Sequence, residues 1–591
     1  MSKKFIIFNV LTLCFSLIFT FFQINFVKDI SLVAFFLSLI FTSVMIFVFV
    51  KKVAVDKNIK FIPVIRKLYQ YVPFVLLCSF IFRRAGNEGT PYWYDVVTVV
   101  LWLLALIFSI FALFYLSEKR VYAINQDFGE IKENTPEVKL HGWKKVVYEI
   151  FDWIDAFVQA AFTVALINIF VFQLYEIPSE SMVPEFLVKD KVVVFKTPSG
   201  PKFPLSEVGI PVMKNYDRGD IVVFRNPHYE ITRKSEVKNF VSQLVYMLTF
   251  TTVNLNVDEN GDPKPDPLVK RITGLPGEQL MMQDGILYSR TKENTDFSPV
   301  TEDSLWAEWN LAAIPETTRQ DIQYKPISKD QYKTLLEVES LRNNLDINAV
   351  AKECESIANS IISIRNVQNY AASLENGKAE IPVLFSKDEL TIENLVRNDL
   401  SVTLKIMSAT GGAEWFAEFL TSWIDGIPEN NLYDQAMYKL NAMAKLEIGK
   451  LILRNAQLNL DGASASQRRQ DSVRQEVLAM AEKLYMYSVL NNYRNMPIFP
   501  ANDAQWNPQY IPENNYFMMG DNRFNSLDMR HSYDEKLIPI SSSDPCSLCY
   551  LSFVEPQYVS NQKILGTPVL RFLPLKRFGV PGLTGEKSIS E

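Results

Sequence analysis

Residues 151–184, FDWIDAFVQAAFTVALINIFVFQLYEIPSESMVP, decide how this chain divides. From 157 to 174 the stretch is almost uncharged and long enough for the roughly 30 Å of a hydrocarbon core. Tyr175, a residue suited to the membrane interface, closes it. Ser179-Glu180-Ser181-Met182-Val183-Pro184 comes a few positions later. The chain before this point reads as membrane, and the chain beyond it as a large water-exposed body. A serine pair held just above a bilayer is therefore the first functional candidate.

Working back, apolar runs cover residues 5–26 and 30–50, and Lys51, Lys52, Lys57, Lys60, Arg66 and Lys67 come after the second. Basic residues collect on the cytoplasmic side of short loops, which puts the N-terminus and this link inside. Residues 97–116 form a further span, with Lys119, Arg120, Lys144 and Lys145 after it. Residues 69–82 are short for a crossing and end at Arg83-Arg84, so a re-entrant or interfacial helix is the alternative there. If they do cross, every strongly basic loop except Arg83-Arg84 falls inside. Five spans are expected on that ground, with Ser181 outside.

Working forward, the pattern changes to strands. Lys191-Val192-Val193-Val194-Phe195 is β-branched, Arg218-Gly219-Asp220 turns into Ile221-Val222-Val223-Phe224, and Leu268-Val269-Lys270-Arg271-Ile272 precedes the turn Gly274-Leu275-Pro276-Gly277. Short strands between Gly and Pro turns predict a β body, bent or partly closed into a barrel. Residues 291–497 are charged and helix-like at 332–343, 413–423, 433–456 and 463–490. They read as a solvated helical insertion, with a gate over the substrate entrance or a platform for another envelope or translocation protein as further roles. Strand pattern returns after Pro497, with a turn expected at 564–568 and a closing strand or stretch at 571–578.

Composition narrows the partners. Among 591 residues the net charge is −6, with no domain-wide positive field, which argues against nucleic acid. Five cysteines do not make a disulfide scaffold. Cys546 and Cys549 supply half a zinc site at most, and the three histidines leave little to complete it, so a local disulfide or two thiols is expected.

A serine hydroxyl needs a base before it can attack. His141 precedes the last span, His228 comes directly after Pro227 and His531 lies beside a charged turn; none sits in a triad context. Lysine is the alternative. Alternation along 268–272 sends Lys270 and Arg271 to opposite faces of a sheet, so one of them turns toward the interior or a covered cleft. Burial lowers a lysine pKa toward the range in which it accepts a proton.

Four stretches, Ile177 to Pro184, Arg218 to Phe224, Lys270 to Gly277 and Gly520-Asp521-Asn522-Arg523-Phe524-Asn525-Ser526-Leu527-Asp528-Met529-Arg530, together resemble bacterial type I signal peptidases in residues and order. The resemblance implies a Ser/Lys membrane endopeptidase that needs no metal or cofactor and removes signal peptides from exported preproteins, cutting after small residues. It implies Ser181 as nucleophile and Lys270 as general base. Ser179 and the Ser181 N–H would form the oxyanion hole, Ser526 would orient the lysine, and Asp528 with Arg530 would form a buried supporting pair. Arg271 and Asp521 are taken as further supporting residues. Phe524 and Met529 depart from the polar residues usual at their positions, as does His531-Ser532-Tyr533 from an aromatic-glycine ending.

The fold expected is therefore mixed: transmembrane helices, then a mostly antiparallel β catalytic domain with a large helical insertion. Its divisions are a membrane anchor at 1–174, β domain at 175–290, insertion at 291–497, and β domain with tail at 498–591. The expected setting is the bacterial cytoplasmic membrane, multi-pass, with the β domain on the extracytoplasmic side and membrane lipid as a partner. A narrow-specificity Ser/Lys processing protease and a tethered envelope scaffold are the alternative functions.

Overall fold

The computed structural model describes residues 2–24, 32–86, 90–133, 142–229, 232–249, 266–367, 384–426 and 431–582, with 253, 255 and 257. The chain opens on helices α1 (Lys3–Phe21), α2 (Leu32–Ile46), α3 (Ile62–Ala85), α4 (Tyr92–Tyr115), α5 (Glu118–Ile124), α6 (Gln126–Glu133) and α7 (Trp143–Phe170). Among the described residues five helices are long and apolar enough to cross a membrane: α1, α2 with its π-helical continuation to Val55, α3 with the turn before it, α4 and α7. The stretch read as short for a crossing is thus a full-length helix. Its first turns carry Arg66 and Lys67, which the apolar count had excluded.

The last apolar run is divided differently from expectation. Helix α7 stops at Phe170, and Phe172–Glu176 is strand β1, with Tyr175 opposite Val192 of β2 (Lys191–Phe195). An uninterrupted apolar run cannot by composition separate the end of a helix from a strand, and Phe172 and Leu174 are both exposed on one face of β1.

The remaining strands are β3 (Ile221–Phe224), β4 (Leu268–Gly274), β5 (Gln279–Gln283), β6 (Ile286–Arg290), β7 (Ser298–Pro299), β8 (Met496–Phe499), β9 (Asn515–Met519), β10 (His531–Pro539), β11 (Cys549–Val554), β12 (Val559–Ser560) and β13 (Ile564–Leu573). A seven-stranded sheet runs β1-β2-β13-β3-β4-β9-β12, a four-stranded sheet β7-β6-β5-β8, and β10 pairs β11; all pairings are antiparallel. Gly566 and Pro568, expected in a turn, lie inside β13, which absorbs them through register shifts against β2 and β3. Buried Val222, Phe224, Ile272, Leu280, Met282, Met518 and Met519 form the core between the sheets.

Helix α8 (Arg233–Leu248) comes after β3. Between β7 and β8 come α9 (Asp303–Trp306), α10 (Glu316–Arg319), α11 (Lys329–Asn343), α12 (Ile347–Arg365), α13 (Ile392–Arg397), α14 (Asp399–Ser408), α15 (Gly412–Thr421), α16 (Leu432–Leu460), α17 (Ala465–Gln470) and α18 (Ser472–Arg494). The helical pattern at 463–490 breaks into α17 and α18 because the Asp471 carboxylate accepts from the Arg474 N–H at 2.8 Å, capping a new helix. These helices are not merely solvated. Their core, with Trp423 and Tyr487 fully buried, also takes in Phe524, Ile540, Leu548 and Tyr550 from the second β segment.

Candidate active site

The site is built where three chain segments meet: the turn between β1 and β2, strand β4, and the turn from Met519 to Arg530. Residues Lys270 and Arg271 on β4 do leave on opposite sides, and both end up buried. Lys270 is 3% exposed, and its Nζ lies 2.7 Å from Oγ of the half-buried Ser181. Burial pushes the Lys270 pKa down to about 8; Asp528 and Asp521 oppose that fall and Arg530 adds to it. A hydroxyl at this distance from such an amine can pass it a proton once the amine is neutral. The exposed Ser179 Oγ donates to Ser181 Oγ at 3.3 Å.

Arg271 is held from the far side. Its Nε and Nη2 donate to the two carboxylate oxygens of Asp521 at 2.8 and 2.6 Å, and its guanidinium lies 5.0 Å over the Trp306 ring. Burial raises the Asp521 pKa, with Arg271 acting against it. Asp528 makes the same kind of two-point pair with Arg530, at 2.8 and 2.9 Å, and also accepts from the Gly520 N–H at 2.8 Å. Burial would push this carboxyl up, but Arg530 brings it well below the usual carboxylate range. Ser526 is brought close to Gly520 and not into a hydrogen bond with Lys270: its Oγ is buried and has no hydrogen-bond partner among the described residues.

Among the described residues no histidine hydrogen-bonds Ser181, although His531 Nδ1 lies 3.8 Å from Asp528 in the support of the site. His228 meets the Gln557 side chain, His531 has Nε2 3.1 Å from the Asn492 carbonyl, and burial holds its pKa at about 4; His141 is outside the described residues. Cys546 and Cys549 are separate thiols.

Several further residues hold the site, most of them given no role by sequence reasoning. Gly520 is one, since a Cβ there would overlap both Ser526 Oγ and the Ser181 carbonyl oxygen. Its place at the end of an apolar strand, before a polar turn, was the available signal. Arg523 is fully buried, donates to Asp303 at 2.8 and 2.6 Å and to the Gly520 carbonyl at 3.0 Å. Asn522 donates through its backbone to the Ser181 carbonyl at 3.2 Å and through Nδ2 to the Glu180 carbonyl at 3.0 Å. Residues 303–324, read as the start of the insertion, are part of this support, with Leu311, Ile314 and Ile322 packed on Val183 and Leu187. The two departures in the turn also find their reason. Phe524 is 4% exposed, with its ring 5.2 Å from Trp309 and 6.0 Å from Tyr493, and Met529 is buried in the sheet core.

Glu180, between the two serines, is 5% exposed, and its carboxylate accepts the backbone N–H groups of Gln323 and Tyr324. Glu180→Ala takes this charged acceptor away from both N–H groups. A stability loss of about 2 kcal/mol is expected, read as a lower thermal midpoint, together with slower turnover from a loosened serine turn.

Comparison with known proteins gives a consistent result. The family described as signal peptidase, peptidase S26, is matched over residues 150–335 and 450–567, just over half of the chain. The chain is similar to signal peptidase I of Buchnera aphidicola subsp. Acyrthosiphon pisum, 23% identical over 276 residues that cover 46% of this chain and 74% of the relative. Signal peptidase I of Buchnera aphidicola subsp. Baizongia pistaciae is 31% identical over 172 residues, 29% of this chain and 49% of the relative. No solved structure matches. Both matched segments carry the turns that meet around Ser181, and the chain belongs to the signal peptidase family, peptidase S26.

Proposed function

We propose that this peptidase is a Ser/Lys endopeptidase of the bacterial cytoplasmic membrane that removes signal peptides from exported preproteins on the extracytoplasmic side, cutting after small residues. The observation that carries the reading is the 2.7 Å approach of Lys270 Nζ to Ser181 Oγ, with the amine buried and its pKa near 8. Neutral Lys270 takes the Ser181 proton as Oγ bonds to the scissile carbonyl carbon. The Ser181 N–H, with the Ser179 hydroxyl turned from Ser181 Oγ toward the substrate, stabilises the oxyanion. Lys270 then hands its proton to the leaving amine, and the same amine activates the water that frees Ser181.

The supporting residues keep this pair in place. Asp528 ties Arg530 to the Gly520 backbone beside Ser181, and Asp521 ties Arg271, the neighbour of Lys270, to the same turn. Ser526, buried beside Gly520 and not bonded to Lys270 here, is proposed to turn its hydroxyl to the lysine as the amine changes charge. The family match breaks between 335 and 450, which supports reading most of the helical segment as an insertion into the β domain.

The full-length protein in detergent is expected to convert an exported preprotein with alanine at the first and third positions before the cut to its mature form. Ser181→Ala is expected to abolish this while unfolding at the same temperature. Cleavage surviving in Ser181→Ala, with the product confirmed by mass, would sink the reading.

A further inference from the structure

The loop after β2 reaches away from the Ser181 turn and enters the membrane helices. Lys202 and Gly209 bridge its base. Phe203, 6% exposed, sets its ring 5.9 Å from Phe80 of α3, 5.3 Å from Trp102 of α4 and 4.9 Å from Phe170, the last residue of α7. The Leu205 carbonyl accepts from Arg84 Nε and from Arg233 of α8, both at 2.8 Å. Ser206 Oγ donates to Asp95 at 2.8 Å, and Asp95 also pairs with Arg83 at 2.7 Å and Arg84 at 3.2 Å. Arg83, Arg84 and Asp95 are all buried. They account for the basic pair that did not fit the charge rule: its charge is spent on Asp95 and on the loop rather than on loop water. Buried ions at helix ends are costly to leave unpaired, so an arrangement that separates Asp95 from Arg83 and Arg84 is disfavoured.

The β1–β2 hairpin converts that arrangement into a distance. Its five residue pairs run without a register shift from Phe172↔Phe195, beside the junction, to Glu176↔Lys191, beside the Ser181 turn. At about 3.3 Å per residue the first and last pairs are about 13 Å apart. We infer that the junction of Phe203, Ser206 and Asp95 fixes the height of the Ser181–Lys270 pair above α3, α4 and α7, and so selects which bond of a membrane-held preprotein is cut. This rests on the reading proposed above. Helices α3 and α4 are then part of the specificity apparatus rather than an anchor alone, and the three residues are positioning residues that touch no reacting atom.

The test uses full-length protein in lipid vesicles with a preprotein carrying two equivalent Ala-x-Ala cut points about four residues apart beyond its apolar helix, about 13 Å when extended. A soluble peptide bearing one such point, assayed in detergent, is the control. Wild type is expected to cut the vesicle substrate at one point. Phe203→Ala, Ser206→Ala and Asp95→Asn are expected to give both products, seen by mass. Since displacement of reacting groups by about 1 Å can cost on the order of 10²-fold, their vesicle rate should fall about tenfold relative to the soluble-peptide rate. Phe203→Leu, which keeps apolar bulk, should restore the single product. If Phe203→Ala or Asp95→Asn loses soluble-peptide activity as well, the milder Ser206→Ala decides. One product at an unchanged rate ratio in Ser206→Ala overturns the inference. Wild type inert on both substrates would instead overturn the proposed activity.

Discussion

Lys270→Ala is expected to lower kcat/KM for peptide cleavage by about 10³-fold or more, the scale of a positioned general base that also serves a nucleophile. Lys270→Arg should do no better, because a guanidinium stays protonated and cannot accept from Ser181 Oγ. On the proposed mechanism the active form of wild type is the neutral amine. With its pKa at about 8, kcat/KM should rise about tenfold per pH unit below that value and level off above it. Stability also rises with pH, but over the higher window between about 8 and 10.5. The cation is disfavoured by burial, so its cost is fully present below about 8 and disappears above the ordinary value of 10.5. Lys270→Met removes that cost, of at most about 3 kcal/mol, and is expected to be inactive yet no less stable at neutral pH. A wild-type pH–rate profile, with activity and thermal unfolding of the three variants, checks these expectations. A wild-type profile flat between pH 6 and 9 would remove Lys270 from the proton path, and these bounds are set roughly two units below and one above its pKa.

Gly520→Ala is expected to be nearly as damaging without touching a reacting group. The added Cβ would overlap Ser526 Oγ and the Ser181 carbonyl oxygen, which belong to the two turns that meet here. Parting those turns should cost about 1–3 kcal/mol of stability, as overpacking does. It should also displace Ser181 from Lys270 and lower kcat/KM by about 10²-fold, given how steeply rate depends on alignment. Gly579→Ala is the control, since a Cβ at that position meets nothing within 4 Å. Equal activity in the two variants would show that the close approach of the two turns is not required.

The polar residues of the site were legible because each stands in a short motif where its type is conspicuous: a serine pair after an apolar run, a lysine inside a strand, a turn crowded with Asp, Asn and Arg. Strand alternation likewise placed Lys270 and Arg271 on opposite sides, and apolar length with loop charge led to five candidate spans. These are local properties, set by neighbours within a turn or a strand.

Other features depend on surfaces brought together from distant parts of the chain. Alternation could not say which of Lys270 and Arg271 would meet Ser181, because that is decided by the pairing of β4 with β3 and β9. The end of α7 at Phe170 depends on β2 pairing with β1, and an apolar residue serves either element. Phe524 looked like an anomaly in a polar turn until Trp309, Tyr332 and Tyr493 closed around it. Residues 303–324 looked like the beginning of a solvated segment, whereas Asp303 neutralises Arg523 and Leu311, Ile314 and Ile322 shield the Ser181 turn. What local sequence specified was the inventory of chemical groups and the elements that carry them. Which of those groups are buried, and against which partners, was decided by tertiary packing, because burial and charge pairing are properties of contacts between segments far apart in the chain.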